Sequence, residues 1–179
     1  MQKWAMWMVV VVTGLLSGCA TAPTSAGGKA TLSSDVTTAL AKAKVEDPSL
    51  QAFLDKAYGY AVFPSVGKGA VGVGGAYGKG EAFERGTKIG YCDLSQATIG
   101  IQLGGQTFTE IIAFEEKAAL DNFKNGNLKF TAQATAVALK AGASANAKYT
   151  GGVSVLTASE QGLMVEAAIG GQTFSFQPL

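Results

Sequence analysis

The sequence predicts an α+β protein. The expected architecture is an antiparallel β-rich barrel or sandwich of about seven or eight strands, with an N-terminal helical hairpin and one inserted helix. Two periodicities lead there. Apolar residues recur at three and four near the start of the chain and again after Phe114, whereas elsewhere they alternate at two. Apart from the one inserted helix, the strands follow one another without helices between them, which argues against a doubly wound parallel sheet. Composition agrees. Hydrophobic residues make up 47% of the chain, enough to fill a core. Glycine supplies 24 of 179 residues, nearly twice the usual ~7%.

Residues 1–18 read as a secretory signal: Lys3 gives one positive charge, and an apolar run follows over 4–16. That run is shorter than the ~20 residues a membrane helix needs. It ends in Leu16-Ser17-Gly18-Cys19, which resembles the bacterial lipobox. The resemblance implies cleavage between Gly18 and Cys19, diacylglycerol on the Cys19 sulfur and acylation of the new amino terminus. The next residue is Ala20 rather than Asp, which in a Gram-negative lipoprotein implies sorting to the outer membrane. Residues 19–31 then read as a lipidated flexible tether, small and polar around Pro23 and Gly27-Gly28. The domain proper is expected over 32–179. Cys92 is left without an intramolecular partner and is expected to be a small buried residue.

Leu32, Val36, Ala39, Leu40 and Ala43 give the first helix over 32–45, with Ser33 or Ser34 as its cap. Asp47-Pro48 signals a second start, Asp as cap and Pro at the first helical position, with Leu50, Phe53, Leu54 and Ala57 as the apolar stripe. From Gly59 the period becomes two. Val71, Val73 and Tyr77 share one face; Ala70, Gly72, Gly74, Ala76 and Gly78 share the other. A face of Gly and Ala suits close approach of another backbone or helix. Strands are expected at 88–94, 98–103 and 107–114. Asp93-Leu94-Ser95 reads as a turn, and Gly104-Gly105 as a tight turn or a bend in one long strand. Residues 115–125 form the inserted helix, started by Glu115 and Glu116 and ended by Gly126. Alternation resumes over 128–139, 148–157 and 163–176, with Ser159-Glu160-Gln161-Gly162 as a polar turn. The pentapeptide Gly104-Gly105-Gln106-Thr107-Phe108 recurs as Gly170-Gly171-Gln172-Thr173-Phe174. Two copies point to two similar bends rather than to a repeat fold.

Four separated segments carry a family resemblance. They are Tyr58-Gly-Tyr-Ala-Val-Phe-Pro-Ser-Val-Gly-Lys-Gly-Ala-Val-Gly-Val-Gly-Gly-Ala-Tyr-Gly-Lys-Gly80, Thr98-Ile-Gly-Ile-Gln-Leu-Gly-Gly-Gln106, Phe130-Thr-Ala-Gln-Ala-Thr-Ala136 and Gln161-Gly-Leu-Met-Val-Glu-Ala-Ala-Ile-Gly170. Together they resemble the SYLF domain over about 32–176. In eukaryotes that family implies phosphoinositide binding and, in yeast relatives, actin; in bacteria it implies short secreted lipoproteins. Where the family has Gly-Pro-x-Gly-Arg, this chain has Ala141-Gly-Ala-Ser-Ala145, so an anion-contacting Arg is missing. Over 32–58, Lys42, Lys44 and Lys56 face Asp35, Glu46, Asp47 and Asp55. This helical pair therefore has no positive surplus for an anionic membrane. Its apolar stripe and the small-residue sheet face are expected to pack together as core; contact with lipid is the alternative.

Several chemistries find no support. With 14 Lys+Arg, 13 Asp+Glu and no His, the chain lacks the basic excess of a nucleic-acid binder and every His-based triad or metal ligand. Removal of Lys3 brings the two signs level. Gly67-Lys-Gly-Ala-Val-Gly72 matches G-x-G-x-x-G, but more glycines follow it instead of a helix, so no nucleotide is expected. Glu81 and Glu84 are expected on a solvated turn. Glu110 and Glu166 sit among apolar strand residues and are the candidate ligand-binding residues. Each is expected to face solvent; turned inward, it would carry a raised pKa or be neutralised by Lys129 or Lys148. No catalytic residue, metal or cofactor is expected. The expectation is a lipid-anchored envelope protein with a lipid- or partner-binding module and no catalysis. A structural or stress-related envelope lipoprotein without a ligand is the alternative. The partners expected are the membrane and either phospholipid or an envelope protein.

Overall fold

The computed structural model describes residues 23, 25–128 and 136–179, with backbone only at 160, 163 and 165–170. The fold is α+β with a mostly antiparallel sheet. Helix α1 (Ala26–Glu46) starts where the Ser25 hydroxyl accepts from Gly28 N at 3.1 Å. It therefore takes in residues 26–31, which were expected to belong to the tether. Its buried face is Leu32, Val36, Ala39 and Ala43, the expected stripe. Gly18, Cys19 and the signal lie outside the described residues.

Helix α2 (Leu50–Lys56) buries Leu50 and Leu54. Its N-cap is Ser49, not Asp47 as expected, and Pro48 precedes the helix instead of opening it. The Asp47 carboxylate is fully buried and accepts from Ser49 N and Oγ, and also from Gly142 N, Ser144 N and Ser144 Oγ. Burial alone would raise its pKa, but the bonds from Ser144 and Ser49 outweigh it and hold the carboxyl far below the usual range. The corner between the two helices is thereby clasped to the distant 142–144 turn.

Strand β1 (Gly59–Glu84) and strand β2 (Thr87–Phe114) pair antiparallel along their whole length. The loop between them is Arg85-Gly86, with φ of 49° and 77°. Two residues of positive φ fit the twist of a tight hairpin, and Gly adopts that conformation without strain. Helix α3 (Lys117–Lys124) follows and buries Ala119, Leu120 and Phe123. Strand β3 (Ala136–Ala138) falls within the strand expected over 128–139; Leu128 and Leu139 are outside any strand, and residues 129–135 lie outside the described residues. Strand β4 (Val153–Pro178) pairs antiparallel with β2 and parallel with β3, giving the order β1-β2-β4-β3.

The separate strands expected at 88–94, 98–103 and 107–114 are one strand, β2. Asp93-Leu94-Ser95 is not a turn. The Asp93 carboxylate accepts from Tyr77 OH on one side at 2.8 Å and from Ser175 Oγ on the other at 3.1 Å, so the neighbouring strands hold it in the ladder. Ser159-Glu160-Gln161-Gly162 is likewise inside a strand. The register slips opposite it, between Thr107 and Thr109, and Ser159 has a φ of 54°. A bulge thus takes the place of the expected turn. Gly104-Gly105 is a site within β2, with Gly104 at φ 125°.

Strands of 26 to 28 residues would run about 86 to 92 Å if straight, at ~3.3 Å per residue. They do not run straight; the ribbon doubles back on itself. A Cβ on Gly78 would lie 2.9 Å from Val66 Cγ2, and one on Gly80 would lie 2.3 Å from the Val62 carbonyl oxygen. The late half of β1 therefore rests on its early half, and the small-residue face is what permits it. Phe63, Leu94, Phe108, Ile112 and Phe174 fill the space between the halves. On the outer side, Leu32, Val36, Leu50 and Leu54 of the helices cover Val62, Ile111 and Leu156. The helical stripe is thus core, as expected, but it packs on Val62, Ile111 and Leu156 and not on the small-residue face, which lies against the ribbon's own other half.

Candidate functional site

The ribbon turns back in its middle, near residues 69–75 on β1, 97–105 on β2 and 162–170 on β4. Here the usual distribution of side chains inverts. Val71, Val73, Ile99, Ile101 and Leu103 point outward and are 65 to 80% exposed. Val71 pairs with Leu103 and Val73 with Ile99, so the five share one face. In register on β4 are Val165, Ala167 and Ile169.

The inward face of the same segment is small or polar. Lys68, Gln96, Thr98 and Gln102 are all buried there. Thr98 Oγ1 donates to Gln102 Oε1 at 2.8 Å, and Gln102 Nε2 donates to the Gly72 carbonyl at 3.1 Å. A Cβ at Gly74 would meet Thr98 Oγ1 and Gln102 Oε1 at 2.6 and 2.7 Å. The tight inner curve has no room for the valines and isoleucines, so the alternation sends them outward.

Glu110 lies on this inner side. It was expected to face solvent, but it is fully buried. Gln172 Nε2 donates to its Oε2 at 3.0 Å. Glu110 registers with Phe63 and Thr157, and Gln172 with Gln96, so the bond joins the two halves of the doubled ribbon. Burial lifts the Glu110 pKa to about 7 against the opposing effects of Gln172 and the Lys68 charge. Among the described residues Glu110 Oε1, Gln172 Oε1 and Gln96 Nε2 have no hydrogen-bond partner. Of the two suggested lysines, Lys148 is exposed and Lys129 lies outside the described residues; the charge acting on Glu110 is that of Lys68. Glu166 registers with Gln102 on β2, and its side chain lies outside the description.

The remaining candidates have structural places. Glu81 is buried rather than on a solvated turn; it accepts from Ser33 Oγ at 2.6 Å and pairs with Lys88, which fixes α1 to the ribbon. Glu84 accepts from Tyr58 OH at 2.7 Å. Cys92 is buried, and burial pushes its thiol well above the usual range, so little of it is the reactive thiolate. Gly67-Lys-Gly-Ala-Val-Gly72 lies within β1, where more strand follows it. Among the described residues, no cluster of three or more His, Cys, Asp or Glu could hold a metal ion, and no helix is long and apolar enough to cross a membrane.

Sequence reasoning paired Val71 with Val73 on one face but did not assign that face to solvent. The available signal was the same alternation at Ile99, Ile101 and Leu103, set against Thr98 and Gln102.

No family model matches the chain. It is similar to a protein of Aeromonas veronii named Beta cell expansion factor A, at 36% identity over 138 residues. The match covers 76% of this chain and 52% of that protein, so the chain spans about half the length of the curated relative it matches.

Proposed function

We propose that this chain is a lipid-anchored envelope protein with a SYLF-like domain that binds a lipid bilayer through the bend of its doubled ribbon, without catalysis. The observation that carries this reading is the exposed aliphatic face of Val71, Val73, Ile99, Ile101 and Leu103. Contiguous exposed apolar surface on a small domain marks an interaction site. Burying five such side chains contributes roughly 1.5–3 kcal/mol each, before the costs of association. Level charge on the mature chain gives no long-range pull toward an anionic surface, so apolar burial has to supply the affinity. In this reading Cys19 carries the acyl chains, the anchor faces the periplasm or cell surface, and the doubled ribbon closes as a sandwich-like body behind the bend.

A depth-sensitive label tests the contact whether or not the anchor is in place. Cys92 is buried and Cys19 is acylated, or replaced by Ser where the anchor is absent, so a cysteine introduced as Ile101→Cys takes the dye. On vesicles, its emission shifts to the blue and is quenched by brominated acyl chains. A label at Val45→Cys, on exposed α1 surface, stays in water. If the two labels respond alike, the bend does not enter the membrane and the reading fails.

A further inference from the structure

A second surface lies beside the bend. It is a groove of about 430 Å³ between α1 and the strands. Asp35, Thr38 and Lys42 line it from one face of α1, and Ser65, Thr107 and Gln161 line it from β1, β2 and β4. The spacing of three and four between these helical residues puts a carboxylate and an ammonium on the same stripe, two turns apart. At about 1.5 Å per residue their Cα atoms are about 10 Å apart, too far for a direct ion pair without both side chains reaching. Neither has an ion-pair partner among the described residues.

The lining rules out several ligand classes. It is mostly polar, which disfavours an acyl chain. It has a single cation, too little for a polyphosphate or a multiply phosphorylated headgroup. What remains is a group carrying one positive and one negative charge a few ångströms apart, with oxygens for hydroxyl and amide donors. Ser65, Thr107 and Gln161 are exposed, and all three side chains can donate. The rim is held in place: Glu46 accepts from Ser159 N and from Ser159 Oγ at 2.7 Å, fixing Ser159 in its left-handed conformation.

We propose that this groove binds the zwitterionic headgroup of a bilayer phospholipid, with Lys42 and the strand hydroxyls on the phosphate and Asp35 on the ammonium. The inference rests on the membrane reading of the bend and names the lipid class. Position supports it. Thr107 lies on β2 four residues beyond Leu103, at most about 14 Å along the strand. The headgroup layer of a bilayer is about 5–8 Å deep on each side. With Leu103 at least about 6 Å inside the hydrocarbon, the groove falls within that layer, and a lipid seated there can send its chains alongside the aliphatic face.

The full chain labelled at Ile101→Cys is reconstituted in phosphatidylethanolamine–phosphatidylcholine vesicles and in phosphatidylglycerol vesicles at matched salt. The ratio of inserted to uninserted label is expected to be about fivefold higher with the zwitterionic lipids, the scale of two exposed ionic contacts. Asp35→Asn and Lys42→Gln should each bring the two lipid types close to parity while the label still inserts. Equal or reversed preference in the unsubstituted protein overturns the groove assignment and leaves the bend reading standing. An unchanged preference in both variants does the same. A label that enters neither vesicle overturns both.

Discussion

Ile101 and Ile112 lie on the same strand, β2, yet the first is 78% exposed and the second fully buried. Around Ile112 the ribbon is covered on both faces, by its own other half within and by the helices without. Around Ile101 the ribbon curves so tightly that its inner face holds small or polar side chains such as Ala70, Thr98 and Gln102. Chemically similar side chains therefore have opposite fates, decided by curvature rather than hydrophobicity. In the body, aliphatic residues hold the fold; at the bend, they add nothing to it and are free to meet a partner. The largest expected effect breaks that symmetry. Ile112→Ala should destabilise the protein by about 2–5 kcal/mol in denaturant unfolding. Ile101→Ala should stay within about 0.5 kcal/mol. Comparable losses at the two sites would mean that the bend is packed in solution.

The junction of bend and body depends on proton concentration. Glu110 is held inside by Gln172 with its pKa raised from 4.5 to about 7. An acid with a raised folded pKa favours the folded state when protonated. Its contribution is complete below pH 4.5, the unfolded value, and is lost as pH rises through about 7. The span corresponds to about 3 kcal/mol at most. Stability should therefore fall between those limits in the natural chain, against a flatter profile for Glu110→Gln, which keeps an acceptor for Gln172 and has no proton to lose. Urea titrations at pH 5 and at about pH 8 read the difference. A slope that persists in the variant would assign the titration to another group.

Much of the body is legible in the sequence. The α1 stripe of Leu32, Val36, Ala39 and Ala43, the α3 residues Leu120 and Phe123, and the two-sided alternation of β1 all follow from period. The continuity of the strands does not. Asp93 and Ser159 are ordinary turn residues until Tyr77, Ser175 and Glu46 engage them from elsewhere in the chain. Glu110 is hidden for a different reason. Both sets of alternating residues around it, Phe108, Ile112 and Phe114 on one side and Ile111 and Ala113 on the other, are apolar and buried. Period two cannot tell which face is interior when both are covered. The groove is beyond sequence altogether, because Asp35 and Lys42 become a site only when Thr107 and Gln161 are brought to them.

The smallest of the expected effects concerns the glycines that let the ribbon double back. Gly80 and Gly67 belong to the same strand and the same motif, but only one is in contact. A methyl group on Gly80 would sit 2.3 Å from the Val62 carbonyl oxygen and 2.8 Å from Phe63 Cδ1, whereas one on Gly67 would meet nothing within 4 Å. The Val62 oxygen is backbone and cannot swing aside, so the two halves of β1 must separate for the methyl to fit. Gly80→Ala should cost about 1–3 kcal/mol through that separation. Gly67→Ala should be neutral or gain up to about 1 kcal/mol, because it lowers the entropy of the unfolded chain. Loosened halves also strain the Glu110–Gln172 bond, so hydrogen exchange near residues 108–112 should quicken in Gly80→Ala and stay unchanged in Gly67→Ala. Equal stability of the two variants would show that the halves of β1 do not touch in solution. The bend would then be one conformation of an open ribbon rather than a fixed surface.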